Sequence, residues 1–376
     1  MLKVGIVGVG NAGSQVAALA KEKLGIDAMA INSSEKDLRT VPDSVVKILI
    51  GDQKGAGKER AAAKIFLKES IMEIIKNEDA KKVFDQEVLF IVSSTGGGTG
   101  SGTSLVLTNI IAEICPSTKV ITVGILPQVK DAMSTQMNSL EYLKELYATL
   151  DRATYMLYDN EKFADKPTTQ AMIRVNESIV NDIDVIRGTF QTVTPFSSID
   201  EKDMLNLIGT SGRIVIASLR DVKEKDVDTV SLESLLVNEL KKNAHAEIQR
   251  DKIVNRVGVI VNLSDRLSDI FDTRVPEVQN FVGSPVEEFE HISINNDRHL
   301  PNNIFLILTG LTQVNDRIRK INDRIDEINE AQKQREDDSE LNSLDMDELS
   351  SKIERRKNGD SADSVDLKSI FGKFGV

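Results

Sequence analysis

With 376 residues, 40% hydrophobic content and a formal net charge of -12, the chain has ample apolar material for a sizeable core, and its length suggests two domains. The acidic balance argues against a protein that coats nucleic acid directly, which needs clustered Lys and Arg, so any link to DNA is expected to run through an adaptor. Cys115 stands alone, the three histidines (His245, His291, His299) offer no metal-ligand spacing, and no basic region followed by a long apolar run opens the chain; the expectations are a reducing cytoplasm, no metal site built by side chains, no secretion and no membrane span.

The first half alternates short apolar runs with longer helical patterns. Strands are predicted at Leu2 to Val7, Ala28 to Asn32, Val88 to Ser93, Lys119 to Ile125 and Thr154 to Leu157, which makes a parallel sheet with helices on both faces and ligands at the carboxyl ends of its strands. A helix is expected to start near Leu105. After Pro167 a long central helix runs to Gly188, and Ile199 to Leu207 reads as a shorter one. Further strands are predicted at Arg213 to Leu219, Val254 to Leu263, His291 to Asn295 and Asn303 to Leu311, with helices at Leu232 to Lys242 and Val275 to Phe281. This set forms a second, smaller α+β domain.

From Leu311 the apolar positions Leu311, Val314, Ile318, Ile321, Ile325 and Ile328 follow a 3-4-3-4-3 spacing, either a coiled-coil seam or a helix packed on its own domain. Beyond Arg335 an acidic stretch gives way to Lys352, Arg355, Arg356 and Lys357 and reads as disordered; Leu367 to Val376 at its end reads as a docking peptide or an inert terminus. The expected division is 1–166, a nucleotide domain; 167–190, the central helix; 191–310, the second domain; 311–335, the carboxy-terminal helix; and 336–376, the tail.

The run Gly96-Gly97-Gly98-Thr99-Gly100-Ser101-Gly102 holds five glycines in seven residues between a strand and a helix. A structural turn needs one or two. Glycines free the backbone to aim several N–H groups at one concave surface, and Thr99 and Ser101 add hydroxyls beside a positive helix end, so this segment is expected to cradle phosphate.

Two other glycine patterns mislead when taken alone. Gly8 to Gly13 matches G-x-G-x-x-G after a strand, suggesting a nicotinamide-cofactor oxidoreductase, but the second strand ends in Asn32-Ser33-Ser34 without the ribose-holding acid. Gly51 to Glu59 imitates a Walker A loop, but its first glycine position is Asp52 and its magnesium hydroxyl position is Glu59.

The glycine run resembles the signature loop of the tubulin and FtsZ superfamily of GTP-dependent filament proteins. Under that resemblance the two misleading patterns find places: Gly10-Asn11-Ala12 is similar to the first nucleotide loop, Asn32-Ser33-Ser34 to the second, Gly55-Ala56-Gly57 to the γ-phosphate-sensing third, and Gly96 to Gly102 to the fourth. Asp131 after Pro127 resembles the ribose loop, although Thr135 stands where FtsZ carries a basic residue. Asn160 in Asp159-Asn160-Glu161-Lys162 resembles the base-reading loop, since an amide offers both donor and acceptor to a purine. The second base-reading asparagine is taken as Asn176, with Asn181 as its competitor. Asp200 and Asp203 match the hydrolytic acids of N-x-D-x-x-D, with Ser198 in place of the asparagine.

The resemblance implies an assembly-activated GTPase that binds GTP or GDP, with Mg held through phosphates and water. Twenty helical residues span about 30 Å, so Asp200 and Asp203 should lie far from the nucleotide of their own subunit and complete the site of a neighbour in a head-to-tail filament. Thr135, Ser198, the charged helix and the late basic tail look more like TubZ, the plasmid and phage segregation branch. That implies a DNA-bound adaptor of the TubR type on the tail. An FtsZ-like division role, a filament that holds GTP without hydrolysing it, and the oxidoreductase are the competing functions.

Overall fold

The computed structural model describes residues 1–148, 153–191, 193–227, 230–249, 253–295, 300–312 and 314–337. Its first six strands are β1 (Val4–Val9), β2 (Asp27–Asn32), β3 (Val46–Leu49), β4 (Val88–Ser94), β5 (Lys119–Leu126) and β6 (Thr154–Asp159). Between them run α1 (Gly10–Leu24), α2 (Glu35–Leu38), α3 (Arg60–Lys76), α4 (Glu78–Phe84), α5 (Thr99–Ile114) and α6 (Met133–Ala148). The central helix α7 (Thr168–Arg187) and α8 (Glu201–Ile208) lead to β7 (Gly212–Leu219) and α9 (Leu232–Lys242). Then come β8 (Ile253–Ser264), α10 (Asp265–Ser268), α11 (Pro276–Val282), β9 (Ser284–Asn295), β10 (Asn303–Leu311) and α12 (Asn315–Asp337).

One ten-stranded sheet carries them in the order β3-β2-β1-β4-β5-β6-β7-β10-β8-β9. Pairings from β3 to β6 are all parallel; β6 meets β7 only at Thr154↔Gly212 and Tyr155↔Arg213, after which β7, β10 and β8 run antiparallel. Strand alternation supplies both faces. Val4, Ile6, Phe90 and Val92 pack with Val16 and Ala20 of α1 and Val175, Ile179 and Ile183 of α7. Val7, Val9, Leu89 and Ile91 pack with Leu67 of α3 and Leu107 and Ile111 of α5. The strand order reverses direction between β1 and β4, the topological switch point where open α/β sheets place ligands.

Several boundaries differ from the sequence expectation for physical reasons. The first strand is Val4–Val9 rather than Leu2 to Val7, because the Leu2 N–H bonds Arg187 O at the end of α7 while Gly8 and Val9 continue the pairing with β4. Helix α5 begins at Thr99, not near Leu105, so the loop shrinks to Thr95–Gly98 and Gly100, Ser101 and Gly102 form the first helical turn. The sequence left β3 unmarked and started β9 at His291 instead of Ser284. Both are edge strands with one neighbour, where polar residues such as Glu287 and Glu288 break the apolar signal.

Met1–Ile325 form one compact unit and Asp326–Val376 a second. Within the first, Val314 and Ile321 are buried and Ile318 and Ile325 partly so, against Tyr142, Leu143 and Tyr155. This part of the apolar stripe therefore packs on its own domain. The second unit continues α12 to Asp337; the rest of the tail, with the Leu367 to Val376 segment, lies outside the described residues. Among the described residues no helix is long and apolar enough to cross a membrane.

Candidate functional site: a cleft at the switch point

The phosphate end of the cleft is built mostly from backbone. Helices α1 and α5 point their N-termini into it, each with unpaired N–H groups and the positive end of a dipole. Gly10 sits at φ 72°, and a Cβ there would come within 3.0 Å of Gly100 N, so a side chain would force the two helix ends apart. This compartment has a cavity volume of about 330 Å³, with Gly10, Asn11, Ala12, Asn32, Ser34, Asp37, Gly55, Ala56, Ser94, Gly97, Gly98, Thr99 and Gly100 among its walls.

The loop before α3 lies directly on the cradle: a Cβ on Gly98 would meet backbone atoms of Lys58 at 2.8 to 3.0 Å. Helix α6 holds the two together. Asn138 Nδ2 donates to Lys58 O at 2.9 Å and Gly97 O at 3.2 Å. Buried Arg60 donates to Glu141 at 2.9 Å, Glu145 at 2.7 Å and Ser101 O at 3.0 Å. The Thr99 and Ser33 hydroxyls bond each other at 2.7 Å.

The base end is built from side chains. It has a cavity volume of about 190 Å³ and is lined by Ile125, Pro127, Gln128, Asp131, Thr135 and Asn160 together with Thr168, Ala171, Met172 and Asn176 of α7. Ala12, Ser94 and Met172 border both compartments, so the two are one cleft.

Its two loops are pinned from behind. Fully buried Gln136 donates from Nε2 to Gln128 O at 2.6 Å and Val129 O at 3.2 Å. Gln128 Nε2 donates to Asn160 O at 3.3 Å, and the Val129 N–H to Glu161 at 2.8 Å. The Asp131 carboxylate accepts the Gln128 N–H at 2.9 Å. From α12, Arg317 donates to Asp159 at 2.8 Å and to Pro127 O, both partners of the pair being buried. Burial pushes the Asp159 carboxyl above its ordinary value, opposed by Arg317 and the Glu161 N–H. Asn160 Oδ1 is buried and meets no donor within the protein.

The structure thus gathers Gly10, Asn11, Ala12, Asn32, Gly55, Gly97, Gly98, Thr99, Gly100, Asp131, Asn160 and Asn176 on one cleft. Gly57 is exposed and outside both linings, Gly96 is buried against Thr135, and the buried Ser101 hydroxyl turns inward to donate to Gly97 O. Asn181 lines a different cavity with Asp182 and His245. Sequence reasoning missed Ser94, Gln128 and Met172 on the walls, and Arg60, Gln136 and Arg317 behind them. None of these stands in a motif; Arg60, Gln128 and Arg317 act through polar contacts to residues 32 to 190 positions away, which no local pattern announces.

Asp200 and Asp203 lie elsewhere. Asp200 caps α8, accepting the Asp203 N–H at 2.8 Å, and Asp203 accepts the Asp200 N–H at 3.3 Å, a reciprocal capping box. The neighbouring Glu201 pairs with the Met1 ammonium at 2.9 Å, and the Leu2 N–H bonds the end of α7. The acids therefore sit by the amino end of β1 while the cleft opens at its carboxyl end; the nine residue steps from Met1 to Gly10 span about 30 Å when extended.

A parallel sheet with a crevice at its switch point, glycine-lined helix ends on one side and amide side chains on the other, defines an α/β nucleotide-site architecture. Residues 3–166 match the family model described as Tubulin/FtsZ family, GTPase domain. The tubulin-like protein CetZ2 of Haloferax volcanii is 25% identical over 226 residues, which cover 56% of this chain and 61% of CetZ2, less than two thirds of that relative. Among solved structures, TubZ of Clostridium botulinum phage c-st superposes with a TM-score of 0.68 at 19% identity, covering 86% of this chain and 97% of that one. A GTPγS-form protofilament of Bacillus thuringiensis serovar israelensis TubZ gives 0.70 at 17% identity, covering 90% and 95%. At these identities the superpositions speak to the fold.

Proposed function

We propose that the cleft binds GTP and that the protein is a cytoskeletal GTPase assembling head to tail. The observation that carries this reading is a single cleft joining a backbone phosphate cradle at Gly97 to Gly100 to a base end lined by the amide side chains of Asn160 and Asn176. Amide side chains offer both a donor and an acceptor, the pattern a guanine edge requires. Asp131 would take the ribose hydroxyls. One carboxylate, Asp37, stands on the phosphate side, and among the described residues no group of three His, Cys, Asp or Glu side chains is placed to hold a metal. Such a site suits a magnesium ion bound chiefly by phosphates and water, where it would neutralise charge on the nucleotide.

Asp200 and Asp203 are the hydrolytic acids in this reading, acting on the nucleotide of the next subunit. Each uses one carboxylate oxygen in the capping box, leaving the other to orient an attacking water. Stacking subunits head to tail brings the amino end of the sheet over a neighbour's carboxyl end, and a heterologous contact of this kind extends into a filament. Residues 1–166, 167–190 and 191–310 would then act as nucleotide domain, central helix and activation domain. The finer role is segregation of plasmid or phage DNA in the cytoplasm, with the tail beyond Arg335 binding a DNA-bound adaptor of the TubR type.

The test is GTP turnover against protein concentration. Turnover per subunit should climb steeply as filaments form, and Asp203→Asn should keep GTP binding while producing static filaments seen by electron microscopy. Turnover per subunit independent of concentration would remove the shared site. Truncation after Arg335 should preserve filaments and abolish adaptor binding.

A further inference from the structure

We propose that His245 and Asp182 form a proton-controlled link between α7 and β7, through which pH sets how tightly the cleft holds a guanine nucleotide. The inference rests on the guanine-nucleotide reading above and adds regulation to it.

The link fills a gap in the sheet. Strands β6 and β7 pair only at their starts, and beyond Tyr155 the segment between α9 and β8 takes the place beside β6. There the Asp159 N–H donates to Ala244 O and the Ala246 N–H to Leu157 O, both at 2.8 Å. This sets the His245 ring against the Tyr158 ring, centroids 4.4 Å apart, with both side chains buried. Buried Asp182 of α7 closes the group: its Oδ2 accepts the Tyr158 hydroxyl at 2.7 Å and lies 2.9 Å from His245 Nε2.

The same Nε2 lies 3.2 Å from the Ile216 nitrogen of β7. One ring nitrogen cannot serve both. A bare Nε2 accepts the Ile216 N–H but turns its lone pair toward the Asp182 carboxylate, whereas a protonated Nε2 donates to Asp182 and releases Ile216. The neutral ring can take either form. The imidazolium carries a proton on each nitrogen and is committed to Asp182 by a charge-assisted bond. Gaining a proton therefore moves His245 from the second-domain strand to the central helix.

The ionisable groups around the pair are Tyr158 from β6, Asp184 from α7, Glu239 from α9, Glu247 beside His245, and Arg213 and Arg220 from β7 and its end. Burial, with Asp182 adding, holds the Tyr158 phenol well above its ordinary range, so it stays a donor. Arg213 donates to Ala246 O and Glu247 O, and Arg220 stacks over Phe190 and Phe305. Asp184 accepts the Thr189 hydroxyl, and Glu247 pairs with Lys320. Burial raises the Glu239 carboxyl, again with Asp182 adding, which makes Glu239 the control to test.

Both elements that the pair joins continue into the base end. Asp182 shares α7 with Asn176, and Tyr158 stands two residues before Asn160. Committing His245 to Asp182 ties α7 to the segment beside β6, so the protonated form should hold the base more tightly. By linkage, bound nucleotide must favour the proton to the same extent.

The experiment titrates the full-length chain with fluorescent GDP, which avoids turnover, at about pH 6 and about pH 8, the range in which histidine ordinarily changes charge. It compares the unaltered chain with His245→Gln, Asp182→Asn and Glu239→Gln. Glutamine can hydrogen-bond in place of Nε2 but does not titrate. Dividing the unaltered affinity by that of His245→Gln at the same pH cancels titration of the nucleotide itself. This ratio should rise about fivefold from the higher pH to the lower. Asp182→Asn should follow His245→Gln, and Glu239→Gln should follow the unaltered chain. Without any substitution, GDP added at fixed pH should move the His245 imidazole nitrogen resonances toward those of the protonated ring. A ratio that stays constant or falls, resonances that ignore GDP, or a Glu239→Gln profile as flat as that of His245→Gln would each overturn the link. A chain that binds no GDP at either pH overturns the guanine-nucleotide reading itself, whereas normal binding with a constant ratio overturns this inference alone.

Discussion

The two ends of the cleft solve the same problem with different materials. The phosphate end is made of main chain: helix starts at Gly10 and Thr99, a four-residue loop, and glycines where no Cβ fits. The base end is made of side chains on loops that have no rigidity of their own and are held by Gln136, Glu161 and Arg317 from behind. Main-chain geometry follows from local sequence, since conformational freedom and helix starts are properties of neighbouring residues. Side-chain pinning depends on partners brought in by the fold.

The contrast can be broken most forcefully at Arg317. Arg317→Ala leaves Asp159 buried without its cation and Pro127 O without a donor, and should cost about 3 to 5 kcal/mol of stability in a denaturant melt. If the comparison is right, the surviving folded fraction loses guanosine affinity before it loses affinity for inorganic triphosphate. Equal losses at both ends would show that the cleft stands or falls as a unit.

Gly98→Ala attacks the other end. Its Cβ would overlap the Lys58 backbone, and overpacking of this kind costs about 1 to 3 kcal/mol. The loss should appear in titrations of GTP and GDP alike, with guanine-over-adenine selectivity intact. Asn176→Ala should do the reverse, reducing guanine-over-adenine preference by about tenfold, the scale of one lost hydrogen bond, while Asn181→Ala leaves it unchanged. Competition binding with ATP checks both.

The smallest effect is expected away from the cleft. Asp200→Ala removes a capping oxygen from α8 and should lower stability by about 1 kcal/mol in a thermal melt, without altering nucleotide affinity. A shift in GDP affinity would place Asp200 nearer the nucleotide of its own subunit than the β1 geometry allows.

Much of the architecture was legible from pattern alone. The short continuous apolar runs of β4 and β5, the helical spacing of α7 and the Leu232 to Lys242 helix are local signals that the tertiary structure left almost unmoved. Edge strands β3 and β9 were not, because a strand with one neighbour is under weak pressure to stay apolar. The glycine run was recognised as a loop, but its last four residues are helix: burial of α5 against β4 and α3 overrides the low intrinsic propensity of Gly100 and Gly102.

By itself the sequence determined where the backbone can approach a phosphate, through glycines and a strand followed by a helix, because those constraints act between adjacent residues. It also set the order of loops around the sheet. Only the tertiary structure decided between Asn176 and Asn181 as walls of the cleft and turned the 314–325 stripe onto its own domain. It likewise put Arg317 behind Pro127 and Lys58 across from Thr135. The physical reason is the same in each case: which face of a helix meets a cleft, and which distant side chain meets a buried polar group, is fixed by packing between elements far apart in the chain.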